Sequence, residues 1–346
     1  MKRVSLADVA NDLKVSKTLV SLVLNQKGDQ HGISKQTQAR VLAKAEELNY
    51  FPNQMARGLR MGKSGTIGLI VADIANPFYA TIARKIEDET NKAGYNLIIC
   101  SSDEKDEKEL RLLKMLRDRQ VDGLIVSSTL QRPNALADLK RLGYPIVLID
   151  RAIPRLDVPA VLVDNYQGAF NLTKHLIDLG HKRIGHLSLS PVHISTLRDR
   201  LKGYKDALKA AGIKHQSSWI LNIPFDDVRG TVEKELPAMI GGKKGVTALF
   251  TANNNIAVSA LEVIRNMGLN IPHDMAFCSF DDIDLFRLMD PPITACAQPR
   301  EEIAIESVKL LKDLIKKVGN GEAASADNLV LSTTLRLRPS TLNGNQ

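Results

Sequence analysis

Residues 15–25 read VSKTLVSLVLN, and the reading of this stretch sets the character of the N-terminal fifth of the chain. Ser16 is of the type that caps a helix, its hydroxyl accepting from a backbone N–H one turn in. Stepping about 100° per residue from Lys17 puts Leu19, Val20, Val23 and Leu24 on one side. Lys17, Thr18, Ser21, Leu22 and Asn25 fall on the other. The spacing predicts a short amphipathic helix with one anomaly: Leu22 stands on its polar face.

Working outward, Ser5-Leu6-Ala7-Asp8 has the form of a capping box. Leu6, Val9, Ala10 and Leu13 then recur at helical spacing, and Lys14-Val15 leaves only a tight turn before Ser16. On the other side QKGDQHG (26–32) is polar and glycine-bearing, hence a loop. Ser34 caps a third helix, whose apolar stripe is Val41, Leu42, Ala45 and Leu48. Two short helices across a tight turn, buttressed by a third, predict an all-α helix-turn-helix headpiece over residues 1–50. Pro52 interrupts it, and residues 51–63 read as a basic hinge helix or linker, weakened as a helix by Gly58 and Gly62.

The charge distribution agrees with a nucleic-acid partner. Residues 1–63 hold eleven Lys/Arg against five Asp/Glu, whereas the rest of the 346-residue chain holds 36 against 34. Of the net +8, six charges therefore sit in the first fifth. The plain alternative is a solvated basic surface.

From Thr66 onward, apolar runs alternate with amphipathic helices that end in glycine. The first series is TIGLIVAD (66–73), YNLIICSSD (95–103), DGLIVSS (122–128), PIVLIDR (145–151) and AVLVD (160–164). The second is RIGHLSLS (183–190), WILNIPF (219–225), TALFTANN (247–254) and MAFCSFDD (275–282). Near-continuous apolar strands between helices imply parallel sheets covered on both faces, so residues 64–340 predict an α/β core of two doubly wound lobes. Several strands end in polar residues, among them Asp73, Asp103, Asp150-Arg151, Asn253-Asn254 and Asp281-Asp282. Ligands of open parallel sheets bind beyond the carboxyl ends of the strands, and two such rims facing each other make a cleft. The end of the chain, STLNGNQ (340–346), is polar and carries no leucine heptad. It is expected to fray, with residues 341–346 as a tail, and a dimer is preferred over a tetramer.

Other chemistries find little support. GLRMGKS (58–64) has three residues between Gly58 and Gly62 where a phosphate-binding loop needs four, and it precedes a strand instead of following one. No GxGxxG follows the first strand. His175, His181 and His186 bracket a helix end and a strand start and share no face, so zinc is not expected. Asp281, Asp282 and Asp284 in one loop read as caps and hydrogen-bond acceptors. Cys100, Cys278 and Cys296 are far apart in apolar stretches and read as reduced, buried thiols. No nucleophile–base set stands out, and no catalytic residue, metal or cofactor is expected. No apolar run has the length of a membrane span and the N-terminus is not a secretory signal, so a soluble, cytoplasmic protein is expected.

The stretches VSLADVA, VSKTLVSLVLN and VLAKAEELNYFPNQMARGLRMGKSGTIGLIVADIANPF, at their spacing, resemble the lactose/galactose-repressor (LacI/GalR) family of bacterial transcription factors. VDGLIV (121–126), VLIDR (147–151), LGHKRIGHLS (179–188), RLKGY (200–204), TANN (251–254), SFDDID (279–284), PPIT (291–294) and Gln298 extend the resemblance over essentially the whole chain. It implies a headpiece, a hinge helix, and a two-lobed core like periplasmic sugar-binding proteins. It also implies a homodimer on a near-palindromic double-stranded operator, with a small-molecule effector, sugar-like, that alters operator affinity.

On the headpiece the residues expected at DNA are Ser5, Ser16, Lys17, Thr18, Ser21, Leu22 and Asn25. Lys17, Thr18 and Ser21 supply donors for the major groove. In the hinge they are Asn53, Ala56, Arg57 and Leu59; the resemblance makes Leu59 a wedge between bases in the minor groove, with Ala56 lining the contact. The family often carries Arg where this chain has Leu22. That departure suggests an apolar contact with thymine methyls, against the alternative that Leu22 packs under the loop Lys27–Gly32. For the effector, the resemblance carries over Asn76, Phe78, Asp150, Arg151, Arg200, Phe225, Asn253, Asp281 and Gln298. Arg, Asp and Asn make paired hydrogen bonds to vicinal hydroxyls, and Phe faces stack on a ring. The competing reading is a cytosolic sugar-binding protein whose basic N-terminus has no regulatory role.

Overall fold

The computed structural model describes residues 4–50, 63–191, 193–322 and 327–342. The chain divides into two compact units, Met1–Ser64 and Gly65–Gln346.

In the first unit α1 (Leu6–Asp12), α2 (Lys17–Leu24) and α3 (Lys35–Glu47) follow the expected order. The capping box at α1 is complete: Asp8 N–H donates to Ser5 Oγ (3.3 Å) and Ser5 N–H to Asp8 Oδ2 (2.8 Å). Ser16 and Ser34 cap the other two helices, accepting from Leu19 N–H and Thr37 N–H. Lys14 takes the left-handed conformation (φ 54°) that makes the tight turn. Val9, Ala10, Val20, Val23, Val41 and Ala45 are buried together as the headpiece core. The loop after α2 is pinned to α3, because Asp29 accepts from Lys35 Nζ (2.7 Å) and Gln38 Nε2 (2.8 Å).

The second unit holds two six-stranded sheets with the same plan. In the first lobe β1 (Thr66–Val71), β2 (Asn96–Ser101), β3 (Gly123–Val126), β4 (Ile146–Ile149) and β5 (Ala160–Val163) are parallel. In the second, β6 (Ile184–Ser190), β7 (Ile220–Pro224), β8 (Ala248–Thr251), β9 (Ala276–Phe280) and β10 (Thr294–Ala297) are parallel. Late in the chain β11 (Leu329–Leu331) returns to pair with β5 of the first sheet, and β12 (Thr334–Arg336) pairs antiparallel with β10 of the second. The orders are β11-β5-β4-β3-β1-β2 and β12-β10-β9-β8-β6-β7. Each lobe thus has its switch point at the strand that carries its first crossover, β1 or β6.

Helices cover both faces of each sheet. In the first lobe α4 (Pro77–Lys92), α5 (Asp106–Asp118) and α6 (Asn134–Arg141) follow their strands. The second adds α7 (Asn165–Asp178), α8 (Ser195–Ala210), α9 (Val228–Ile240), α10 (Asn254–Asn266) and the short α11 (Asp284–Leu288). The long α12 (Arg300–Gly319) follows β10 in sequence but packs on the first lobe, burying Ile303, Val308, Leu311 and Leu314 beside Ile82 and Ile86 of α4. The closest helix approach is α7 on α8, where a Cβ at Gly203 would lie 2.4 Å from the Tyr166 carbonyl oxygen.

Ser340 and Thr341 depart from the expectation of fraying: both are fully buried. Ser340 Oγ donates to Phe277 O and accepts from Thr294 N–H (both 2.7 Å), and Thr341 Oγ1 meets Thr294 Oγ1 and His175 Nε2 (both 2.9 Å). Small hydroxyl residues fit this seam because each bond they make replaces water at a buried backbone or side-chain group. Among the described residues, no helix is long and apolar enough to cross a membrane.

Candidate functional site

On the headpiece, the polar face of α2 stands as the periodicity requires. Lys17 and Thr18 are exposed, Ser21 and Leu22 half-buried. Leu22 is not among the side chains packed against the headpiece core, although Leu19 and Leu24 are. Ser5 and Ser16 are exposed at helix N-termini with their hydroxyls engaged in capping. Asn25 is turned back on its helix, its amide donating to the Ser21 carbonyl (2.6 Å). Asn53, Ala56, Arg57 and Leu59 lie outside the described residues.

Within the core, all nine residues expected at the effector line one cavity between the lobes. Apart from Arg200, which projects from α8, they arrive at or just after the carboxyl ends of strands in both sheets. Asn76 caps α4 after β1, accepting from Phe78 N–H (2.9 Å), with Pro77 at the first helical position. Asn253 does the same for α10 after β8, accepting from Ile256 N–H (2.9 Å). Asp150 and Asp281 end β4 and β9, which hold the same place in the two sheets. Both are left-handed (φ 65° and 72°), a conformation that Asp tolerates better than most residues. The same turn chemistry is thus used twice to raise a carboxylate into the cleft.

Around these carboxylates the polar contacts are dense. Tyr79 donates its hydroxyl proton to Asp150 Oδ2 (2.7 Å), so Ser127 Oγ, 3.0 Å away, donates to the phenol oxygen. Burial pushes the Tyr79 phenol well above its ordinary value, which keeps that proton in place. Arg151 forks onto Glu104 with 2.7 and 2.5 Å bonds. Gln298 donates Nε2–H to Asp281 Oδ1 (2.5 Å). Burial pushes the Asp281 carboxyl up, while Arg200 and the Gln298 amide pull it down. Arg200 is itself buried, donating to Asn165 Oδ1 (2.8 Å) and the Ala252 carbonyl (2.6 Å) and lying 3.7 Å over the Phe280 ring. Phe78 meets Tyr79 edge-on at 5.0 Å, and Phe225 is half-buried at the start of a short 3₁₀ turn.

Three polar atoms of the cleft residues are buried without a hydrogen-bond partner: Asp150 Oδ1, Arg151 Nε and Gln298 Oε1. Each such atom costs about 1–3 kcal/mol when left unmet. Two acceptors and one donor suit a ligand rich in hydroxyls. The cleft encloses about 40 Å³ of free space, room for about three waters, so a ring-sized ligand enters only as the lobes part.

Tyr79, Glu104, Ser127 and Thr196 were not singled out from the sequence. Glu104 follows Asp103 at the end of β2, and both are left-handed (φ 55° and 52°). A pair of acids at a strand end was its only local signal. Tyr79 sits next to Phe78 in NPFY and reads as core; its partner Asp150 is 71 residues away.

The histidines, loop aspartates and buried cysteines noted in the sequence take structural roles. His175 bonds Thr341, His181 bonds Thr247, and His186 is fully buried between Tyr204 and Phe250 with ring centroids at 4.9 and 4.8 Å. Asp282 receives a two-pronged bond from Arg338 (both 2.7 Å), and Asp284 pairs with Arg287. Burial pushes the Cys278 thiol well up and that of Cys296 up to about 12, so both stay protonated. Among the described residues, no group of three or more His, Cys, Asp or Glu is placed to hold a metal ion.

Comparison with known proteins agrees with this fold. Residues 5–53 match the family model "Bacterial regulatory proteins, lacI family". Residues 64–335 match "Periplasmic binding proteins and sugar binding domain of LacI family". Catabolite control protein A of Priestia megaterium is 33% identical over 340 residues, 98% of this chain and 99% of that protein. The HTH-type transcriptional repressor CytR of Escherichia coli (strain K12) is 32% identical over 337 residues, 97% of both chains. Among solved structures, the Lac repressor dimer bound to operator and the anti-inducer ONPF matches with a TM-score of 0.81 at 25% identity, covering 99% of this chain and 100% of that one.

Proposed function

Because the chain belongs to the lacI family of bacterial regulatory proteins, we propose that it represses transcription as a homodimer on a near-palindromic operator, released or retained by a sugar-like effector in the cleft. The chain is a DNA-binding transcriptional regulator with a helix-turn-helix headpiece and a ligand-binding core. The relatives described above are regulators and repressors, and no catalytic step enters this reading. It works in the bacterial cytoplasm, where its DNA lies.

The effector half of the reading rests on one observation: three polar atoms in the buried cleft that make no hydrogen bond. Hydroxyls that meet them recover the cost of leaving them bare. Closure of the two lobes on such a ligand changes how the core holds the segment 51–63 and the headpieces of a dimer, and with it the operator affinity. In this reading Lys17, Thr18, Ser21 and Leu22 enter the major groove, Leu59 wedges the minor groove beside Ala56, and Asn53 and Arg57 attend it. The dimer is supported by apolar side chains left open on the core: Ile99 on edge strand β2 is 43% exposed and Leu288 at the end of α11 is 83% exposed. The Lac repressor structure cited above is a dimer on its operator.

In vitro selection with the full chain should recover a two-fold symmetric consensus, and a fragment of residues 65–346 should recover none while still binding ligand. Recovery of the same consensus by the fragment would sink the regulator reading. A full chain with no consensus would favour a sugar-binding protein without a regulatory role.

A further inference from the structure

A second cavity, about 450 Å³, lies beside the cleft and shares Arg151 with it. Its walls come from both lobes: the loops after β3 and β4 on one side, the start of α8 on the other. The walls are stitched by His193 Nε2 donating to the Thr129 carbonyl (3.0 Å) and Ala152 N–H donating to Ser195 Oγ (2.9 Å).

The charge of this chamber is one-sided. Arg151, Arg155, Arg198 and His193 line it, and no carboxylate does among the described residues. Arg198 is half-exposed and shares its charge with the neighbouring Asp199. Arg155 has no carboxylate within ion-pair distance among the described residues. Arg151 is 6% exposed and forked onto Glu104 on the cleft side; its Nε makes no hydrogen bond and lies 3.6 Å from Asp150 Oδ2. Ile194 and Ser195, at the start of the 16-residue α8, also line the cavity, and no side chain caps that helix. Its first-turn N–H groups and dipole therefore add positive potential. Arg155, the rim guanidinium of Arg198 and a bare helix start suit an oxyanion better than a second neutral ring, with Arg151 held at the boundary by Glu104 and His193 spent on the Thr129 carbonyl.

We propose that the effector is a two-part anionic molecule, with its polar ring in the cleft and a phosphate or carboxylate in this second chamber, Arg151 touching both parts. The proposal rests on the effector-cleft reading given above and narrows its ligand class to sugar phosphates or sugar acids.

The test is the melting temperature of the full chain, and then calorimetric titration, with matched probes: ribose and ribose 5-phosphate, glucose with glucose 6-phosphate and gluconate, and inorganic phosphate alone. At least one anionic probe should bind about tenfold or more tightly than its neutral parent, the worth of one charge-assisted contact or more. Arg155→Gln/Arg198→Gln should erase that difference, and Arg155→Lys/Arg198→Lys should keep most of it, each judged against its own ligand-free melting temperature. Neutral and anionic probes binding alike would overturn the proposal, as would a preference that survives the double glutamine change. Inorganic phosphate reproducing the full shift would show a free-anion site and overturn the two-part ligand. If sugar-bearing probes bind but Arg200→Ala does not weaken them, the effector-cleft reading itself falls, a different failure from loss of the anion preference alone.

Discussion

Leu22 is the one side chain on the polar face of α2 that cannot hydrogen-bond to a base edge. It stays half-buried and apart from the headpiece core, while the adjoining loop is held to α3 by Asp29, Lys35 and Gln38. A methyl-to-methyl contact with thymine gives that surface a use. Leu22→Arg should therefore exchange the preferred base at one position of each half-site, by about 1–3 kcal/mol. Selection profiles of the two proteins compared side by side decide it, and identical profiles would refute the contact. His186 makes a different kind of prediction. Burial pushes its pKa down to about 3. An unfolded-chain histidine takes up its proton near about pH 6.5. Above that value the group is neutral in both states and its contribution is whole. As pH falls from about 6.5 toward 3, the unfolded state binds a proton that the folded state refuses, and stability drops by about 1.4 kcal/mol per pH unit. His186→Phe should remove that part of the slope in urea titrations at about pH 7, 6 and 5; a slope equal to the parent's would show that the histidine is accessible to protons.

At the scale of elements, the close contact of α7 with α8 is set by an absent side chain. A methyl group at Gly203 would have to push back the Tyr166 carbonyl, a backbone atom with no rotamer to yield. Gly203→Ala should cost about 1–3 kcal/mol of core stability, read from the shift in urea midpoint. The first nine strands and the capped helices were legible in the sequence because they carry their own signals. Ser5, Ser16 and Ser34 stand at helix starts, and runs such as TIGLIV and IVLI are continuously apolar. β10, β11 and β12 were not legible. β11 and β12 are three residues long, too short for periodicity to register, and β10 reads TACA, without the large aliphatic side chains of GLIV or IVLI; their partners are set by the path of the chain between lobes. The cleft divides in the same way. Asn253 stands at the polar end of an apolar run and Asn76 in a stretch that carries the family resemblance, whereas Tyr79 acquires its role only when the fold brings Asp150 to it.

Across the whole core, Arg200 lines the cleft and belongs to the frame that holds it. Its bonds to Asn165, where α7 begins, and to the Ala252 carbonyl, just after β8, tie the lining of the second lobe together. Arg200→Ala should abolish the response of operator binding to effector while leaving binding itself in place. It should also lower core stability by about 1–3 kcal/mol, since the Ala252 carbonyl and the Asn165 amide oxygen lose their donor. Operator titrations with and without effector, beside a urea melt, separate the two effects. A normal response in the variant would remove Arg200 from the site. The returning segments have a further consequence, which concerns the order of synthesis. The first lobe needs α12 to cover one face of its sheet and β11 to complete that sheet, and the second needs β12 and the buried Ser340 and Thr341. The headpiece, with a core drawn from residues 9–45, has all its parts as soon as it leaves the ribosome. Neither lobe does until β11 and β12 have followed. A message stopped just short of β11 would thus yield a chain with a finished DNA reader and two unfinished halves of its sensor.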